Sequence, residues 1–320
     1  MAKMTVRGFR RRHGRAGVRN DLWVIPTTAC LNGTLRSLLE SYHKQYWIDS
    51  VKLLEHSCGC SHLAGGGNLW TAERALTSLA LHPNAAGVLV VGLGCEDFPL
   101  HSLIECAELA GAGSVVHKLA YAEAREEEVL TQLDKLGANA PRTREVFPLS
   151  HLCVGVVRRG GGCERVFQPS DLLERLCGWL TRNGASVLLA GVGESGGDDV
   201  LEYGERVARA ASLEAVSSPT HLPGALTSLS VSGAQILICD SDAPASFGAP
   251  VPAIRVRLNA NAENPCLDWI DFNPASFEES AKALADLLLA VAEGERTASE
   301  RRSMGTCHLA IDSGGPWRYA

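Results

Sequence analysis

No stretch of this chain is long and apolar enough to cross a bilayer. The longest uncharged apolar runs, such as residues 87–95, are less than half of what a span needs, and the run 283–292 is broken by Asp286. A secretion leader is not expected either, because the apolar stretch 22–26 is short and runs directly into Thr27 and Thr28. Excess positive charge is also absent. Thirty Lys and Arg stand against 36 Asp and Glu, a net charge of −6, which argues against a dedicated nucleic-acid binder. Short repeats and low-complexity tracts are not found. The 11 cysteines are odd in number, so complete intramolecular pairing is excluded. Without a leader the expected compartment is the reducing cytoplasm, where most of these thiols stay free.

What is present is an ordinary globular composition. The chain has 320 residues, 46% of them hydrophobic and 21% charged, which suits two domains with substantial cores. Apolar runs alternate with helix-periodic stretches. Strands are expected at 22–27, 51–55, 87–93 and 114–119, with helices over 33–43, 69–81, 100–110 and 122–136. After an aperiodic linker at 137–148, a second series is expected. Its strands lie at 152–157, 186–192, 235–240 and, last, 253–258. Its helices lie at 170–182 (with Ser170 as cap), 200–211, 222–232 (the weakest) and 276–293. Such alternation means parallel strands with helical crossovers. The expected fold is therefore α/β, with two doubly wound, mostly parallel-sheet (Rossmann-like) domains at 1–145 and 146–320.

In open α/β sheets, ligands bind beyond the carboxyl ends of the strands. Three loops there carry thiols. They are the segment from Thr27 to Gly33 with Cys30, the segment from His56 to His62 with Cys58 and Cys60, and the segment from Gly94 to Asp97 with Cys95 and Glu96. Thiolates, imidazoles and carboxylates together suit zinc, ferrous iron or an iron–sulfur cluster. The spacing matches no zinc-finger or ferredoxin pattern, and the same cysteines would also serve as small residues in tight turns. Cys106, Cys177, Cys266 and Cys307 read as packing residues.

Charge is unevenly placed. The first 20 residues hold seven basic side chains and no acidic one, and the segment from Arg10 to Asn20 leads directly into the first strand. Arginine's planar fork suits carboxylate, sulfonate or phosphate, so this arm is either an ordered anion-binding loop or a solvated tail. In the second half, Arg158-Arg159-Gly160-Gly161-Gly162 resembles an anion-cradling turn but lacks a Walker ending and a G-x-G-x-x-G pattern. Asp240 and Asp242 either act on a ligand or cap the chain.

The run Gly8-Phe9-Arg10 with Gly14-Arg15-Ala16-Gly17-Val18-Arg19-Asn20 resembles the opening signature of the altronate/galactarate dehydratase family. Cys30-Leu31-Asn32, the loop from His56 to Gly59-Cys60, and the run from His82 through Gly94-Cys95-Glu96 resemble it too. Together they span about the first 120 residues. The large subunit of sulfolactate sulfo-lyase is a relative. The resemblance implies elimination of water, or sulfite, from small hydroxy acids with a metal, commonly iron. It also implies a small SAF-type domain, fused or as a separate subunit. The second half diverges: Arg158 to Gly162 stand where the family has a Cys-Gly-Gly-Ser-Asp loop, and Cys239 to Ala243 replace a Thr-Thr-Gly-Arg-Gly-like turn.

The expected function is a metal-dependent hydro-lyase acting on a small hydroxy acid or sugar acid. The alternatives are a non-catalytic or regulatory relative that keeps an anion-binding fold, and a sulfo-lyase-type large subunit. Cys30, Cys60, Cys95 and His62 are the expected ligands of iron, mononuclear or in a cluster, or of another divalent metal. Glu96, His56 and Glu194 are the expected acid–base groups. Arg15, Arg19, Asn20, Asn32 and Arg158 are expected to hold the carboxylate substrate. The expected partners are that substrate, a separate SAF-type small subunit and a second copy of the chain, with neither nucleic acid nor membrane.

Overall fold

The computed structural model describes residues 4–11, 15–57, 68–94, 104–105, 108, 115–121, 126–159, 172–192, 200–201, 212–216, 222–240, 248–257, 269–273, 277–302 and 307–309. Two parallel sheets dominate it, as the alternating pattern requires. The first has the strand order β13-β3-β2-β4-β5, from β2 (Asp21–Pro26), β3 (Val51–His56), β4 (Ala85–Gly92), β5 (Val116–Ala120) and β13 (Cys307–Leu309). The second has the order β12-β11-β7-β8-β10-β9, from β7 (Cys153–Arg159), β8 (Ser186–Val192), β9 (Val200–Leu201), β10 (Leu213–Val216), β11 (Ile236–Asp240) and β12 (Ala253–Val256). Every pairing within these two sheets is parallel. A separate antiparallel ribbon joins β1 (Thr5–Gly8) to β6 (Glu145–Pro148).

The central strands are covered on both faces, so β2 and β4 are buried along their whole lengths. On one face lie α1 (Asn32–Glu40) and α3 (Glu126–Asn139), which set Leu35, Val129, Leu133 and Leu136 against Leu22, Val24 and Leu89. The apolar residues of α3 recur at helical spacing. Gly87 in β4 lets that helix approach: a Cβ there would stand 2.9 Å from the Leu136 Cβ. On the other face, α2 (Asn68–Ala80) and α5 (Leu222–Val231) share one core with both sheets, drawing in Trp23, Leu76, Leu79, Leu188, Leu229 and Leu237. The outer face of the second sheet is covered by α4 (Leu172–Arg182) and α6 (Phe277–Ala292), and a short α7 (Ala298–Arg301) follows. No described helix is long and apolar enough to cross a membrane.

Several elements differ from the sequence reading. The stretch 137–148 ends in β6 rather than running as a linker, because its partner β1 supplies the hydrogen bonds from more than a hundred residues away. Residues 200–201 form a strand where a helix is expected, and β10 was not anticipated. The strand at 253–256 is not the last. The chain returns to the first sheet, and β13 lies parallel to β3 with Leu309 opposite His56. Ile104, Glu105 and Glu108 are helical, whereas the proposed cap Ser170 and most of 200–211 lie outside the described residues.

Candidate functional site

The strand order places β3, β2 and β4 side by side, with β2 in the middle. β2 connects to β3 on one side, and β4 joins on the other, so the direction of winding reverses between β2 and β4. Such a reversal opens a crevice at the carboxyl ends of the strands. The three thiol-bearing segments therefore all leave from one rim.

Cys30 follows β2 in a 3-10 turn (Ala29–Leu31) and is exposed. Thr27 ties this turn to β4, its N–H donating to Val91 O at 2.9 Å. His56 closes β3 and is buried, its Nε2 lying 2.7 Å from Pro26 O. That carbonyl can only accept, so Nε2 carries a proton. Asn32 Nδ2 donates to His56 O at 2.9 Å, which fixes the end of β3 to the start of α1. β4 ends at Gly92, and Gly94 adopts φ 100°, a left-handed turn that sets the direction in which the chain enters Cys95. Cys60, His62, Cys95 and Glu96 lie outside the described residues. Among the described residues no group of three His, Cys, Asp or Glu gathers to hold a metal.

The second sheet has its own reversal between β7 and β11. Arg158 stands near the end of β7, opposite Gly191 of β8, and Asp240 ends β11. Glu194 lies outside the described residues. The two sheets meet at the opposite edge, where their strands begin. Asn84 Nδ2 donates to Gln235 O at 2.8 Å, Val18 N–H donates to Asn84 Oδ1 at 3.1 Å, and His82 Nε2 lies 3.1 Å from Ala234 O. Gln235 reaches on, accepting from Cys153 N at 2.7 Å and donating to Ala16 O. α2 and α5 pack together and both end at this junction. The carboxyl ends of the strands of both sheets therefore lie away from this junction.

The arginine arm lies at the junction, not at the thiol rim. Arg15 donates to Ser150 O, Leu152 O and Ser186 Oγ at 2.9–3.2 Å, where β7 and β8 begin. Arg19 is buried. It pairs with Glu300 through two bonds of 2.8 and 2.9 Å and donates to Val291 O and Glu295 O at the end of α6. Asn20 binds Trp47 O and Pro141 O. Arg11 donates to Pro83 O, Arg19 O and Asn20 Oδ1, and burial lowers its pKa. Extended β2 separates Asn20 from Thr27 by roughly 20 Å, so Arg15, Arg19 and Asn20 are not brought together with Cys30, His56 or Asn32. Among the described residues, their guanidinium and amide groups donate to main-chain carbonyls, the Ser186 hydroxyl and the Glu300 carboxylate.

Burial alone would raise the pKa of Glu300, but hydrogen bonds and charge from Arg19 prevail and hold it at about 2. Along the flank of β3 a cavity of about 690 Å³ is lined by both signs of charge, including Arg36, Asp49, Lys52, Glu55 and Glu300. Its charges are largely satisfied within the chain, with Arg36 on Glu55 at 2.8 Å and Lys52 on Asp21 at 2.9 Å. Cys153, Cys177 and Cys239 are buried, in keeping with packing roles. The polar group that sequence reasoning passed over is Thr28, fully buried at the end of β2 with no hydrogen-bond partner for its hydroxyl. Its position directly after an apolar strand was the available signal.

Comparison with known proteins adds two matches to family descriptions. Residues 8–140 match the second domain of D-galactarate dehydratase/altronate hydrolase, and residues 188–313 match the C-terminal domain of D-galactarate/altronate dehydratase. Among characterised proteins, the chain is similar to an altronate dehydratase of Bacillus subtilis (strain 168). The two are 28% identical over 349 residues, covering 86% of this chain and 70% of that protein. It is also similar to an altronate dehydratase of Escherichia coli (strain K12). That pair is 23% identical, covering 98% of this chain and 79% of the relative.

Proposed function

The chain belongs to the D-galactarate/altronate dehydratase family, and on that premise we propose that it is a metal-assisted hydro-lyase acting on a small sugar acid or related hydroxy acid. The observation that supports this reading is the adjacency of β3, β2 and β4, after whose carboxyl ends the segments bearing Cys60, Cys30 and Cys95 follow in sequence.

That donor set fits a soft or borderline cation such as iron, and the described member, Cys30, is exposed to receive one. Cys30, Cys60 and Cys95 would hold the metal, with His62 as a further ligand. When bound, the metal supplies Lewis acidity toward a departing hydroxyl. The rest falls to the chain. A base removes the proton α to the carboxylate, and donors at the carboxyl ends of the strands stabilise the enolate-like charge that develops. Glu96, in the loop after β4, is the proposed base. His56, at the end of β3, and Glu194, in the segment after β8, are the proposed proton carriers. Arg158, near the carboxyl end of β7, is the proposed cation for the far end of the substrate. Free thiolate ligands ask for a reducing compartment, so the cytoplasm is the proposed setting. A separate SAF-type subunit and a second copy of the chain are the proposed partners.

The test is an assay of anaerobically purified, iron-supplemented protein against D-altronate and D-galactarate, with formation of the 2-keto-3-deoxy product as readout. The same assay is repeated with a SAF-type subunit added. Turnover of either acid is the expected result. A protein that carries metal yet turns over neither acid under both conditions overturns the lyase reading.

A further inference from the structure

The helical run that follows β2 begins without the partners a helix start normally has. The 3-10 turn Ala29–Leu31 leads straight into the nine-residue α1. Thr28 occupies the cap position of this run in an extended conformation (φ −141°, ψ 144°), yet its side chain makes no capping bond. Leu31, directly before α1, supplies none either, and neither segment has an acidic residue in its first turn. A helix start presents backbone N–H groups without intrahelical acceptors and carries partial positive charge.

Two buried polar atoms frame this start. Thr28 is fully buried, and its Oγ1 has no hydrogen-bond partner. Asn32 Oδ1 is likewise sealed and without a partner, while the same side chain is held in place by Nδ2 donating to His56 O. A buried donor and a buried acceptor left open four residues apart are costly in an interior where such groups are nearly always matched. Gly33, the residue after Asn32, faces open space: a Cβ built on it meets nothing within 4 Å. Cys30, between the two, is exposed.

We propose that the start of this helical run is the subsite for the carboxylate and adjacent hydroxyl of a small hydroxy acid. The first-turn N–H groups and the Thr28 hydroxyl donate to the carboxylate. Asn32 Oδ1 accepts the proton of the neighbouring substrate hydroxyl. The charge fits a carboxylate better than a phosphate dianion, because the one cation on α1, Arg36, is committed to Glu55 through bonds of 2.8 and 2.9 Å. An acid seated here lies at the winding reversal beside the Cys30 thiol, which is where the lyase chemistry would need it. The proposal takes its class of ligand from that lyase reading. It replaces the arginine arm as the carboxylate holder with groups at the correct edge of the sheet.

The experiment is a titration of the full-length protein with D-altronate, and with the corresponding neutral hexitol, followed by backbone amide shifts of Ala29, Cys30 and Gly33 and by calorimetry. D-altronate is expected to shift those amides, and the hexitol is not. Thr28→Val is expected to weaken D-altronate binding about ten-fold or more, the usual scale for one hydrogen bond to a charged group, with Thr28→Ser restoring it. Asn32→Asp, which sets a negative charge at the helix start, is expected to abolish binding. If D-altronate binds or turns over while these amides stay still and Thr28→Val binds as wild type does, the subsite is overturned and the lyase reading survives. If the amides shift and Thr28→Val weakens binding but no turnover is found, the subsite stands and the lyase reading falls. Failure of D-altronate to bind at all overturns the subsite.

Discussion

The guanidinium of Arg19 and the carboxylate of Glu300 meet through hydrogen bonds of 2.8 and 2.9 Å across 281 positions of sequence. The pair joins the entry to β2 to the short α7, and Glu300 also completes the capping box of that helix with Thr297. The same guanidinium donates to Val291 O and Glu295 O, so a cation stands where the carbonyls of α6 end. This fastening ties α7 and the end of α6 to the entry of β2.

Because Arg19 holds Glu300 at about 2, below the ordinary value of 4.5, the pair contributes stability above the unfolded value. That contribution is lost as pH falls through the folded one. The shift corresponds to about 3 kcal/mol at neutral pH. Urea unfolding at pH 7 is expected to show Glu300→Gln destabilised by an amount of that order. The gap to wild type should narrow steadily between about pH 4.5 and 2. A gap that stays constant over that range would mean Glu300 acts through packing alone.

The junction between the sheets rests on Asn84, whose amide serves both sides. Asn84→Ala leaves Val18 N–H and Gln235 O without their partner in a buried setting. Each such group costs about 1–3 kcal/mol. Thermal or urea unfolding is expected to show a loss of that combined size.

How much of this was legible in the sequence depended on where the partners of each segment lie. β2 and β4 are unbroken apolar runs because helices cover both of their faces, so they could be read locally. The helix at 222–231 reads weakly for a related reason: from Gly224 to Val231 every residue is buried, leaving no polar face to mark a period. β1, β6 and β13 are short strands whose hydrogen bonds come from remote chain, and nothing local announces them. At the site, the three thiol loops could be named from sequence, but their common rim depended on strand order. The arginine arm misleads for the opposite reason. A basic, glycine-rich segment looks anion-binding until the carbonyls of β7's start and α6's end, far along the chain, take its donors.

That placement separates two arginines in the assay. Arg15→Gln, which loses donors to Ser150 O and Leu152 O, is expected to lower the melting temperature while leaving KM for the acid substrate unchanged. Arg158→Gln, at the carboxyl edge of the second sheet, is expected to raise KM with little change in stability. A raised KM in Arg15→Gln would place the carboxylate at the junction instead.

Thiol ligation makes the most demanding prediction, because it asks three loops to act as one. Cys30→Ser, Cys60→Ser and Cys95→Ser should each lower the metal content of anaerobically purified protein, since an alcohol replaces a thiolate that a soft or borderline cation prefers. Cys177 provides the control: it is buried among the leucines of α4 in the core of the second sheet. Cys177→Ser is expected to lose some stability to its buried hydroxyl but to keep its metal. Gly94→Ala extends the test to the direction of the chain. The left-handed φ of 100° is strained for alanine, so the turn entering Cys95 must relax, and metal should fall although no ligand is removed. Equal metal in the wild type and the three rim variants would show that the thiols share a rim without sharing an ion.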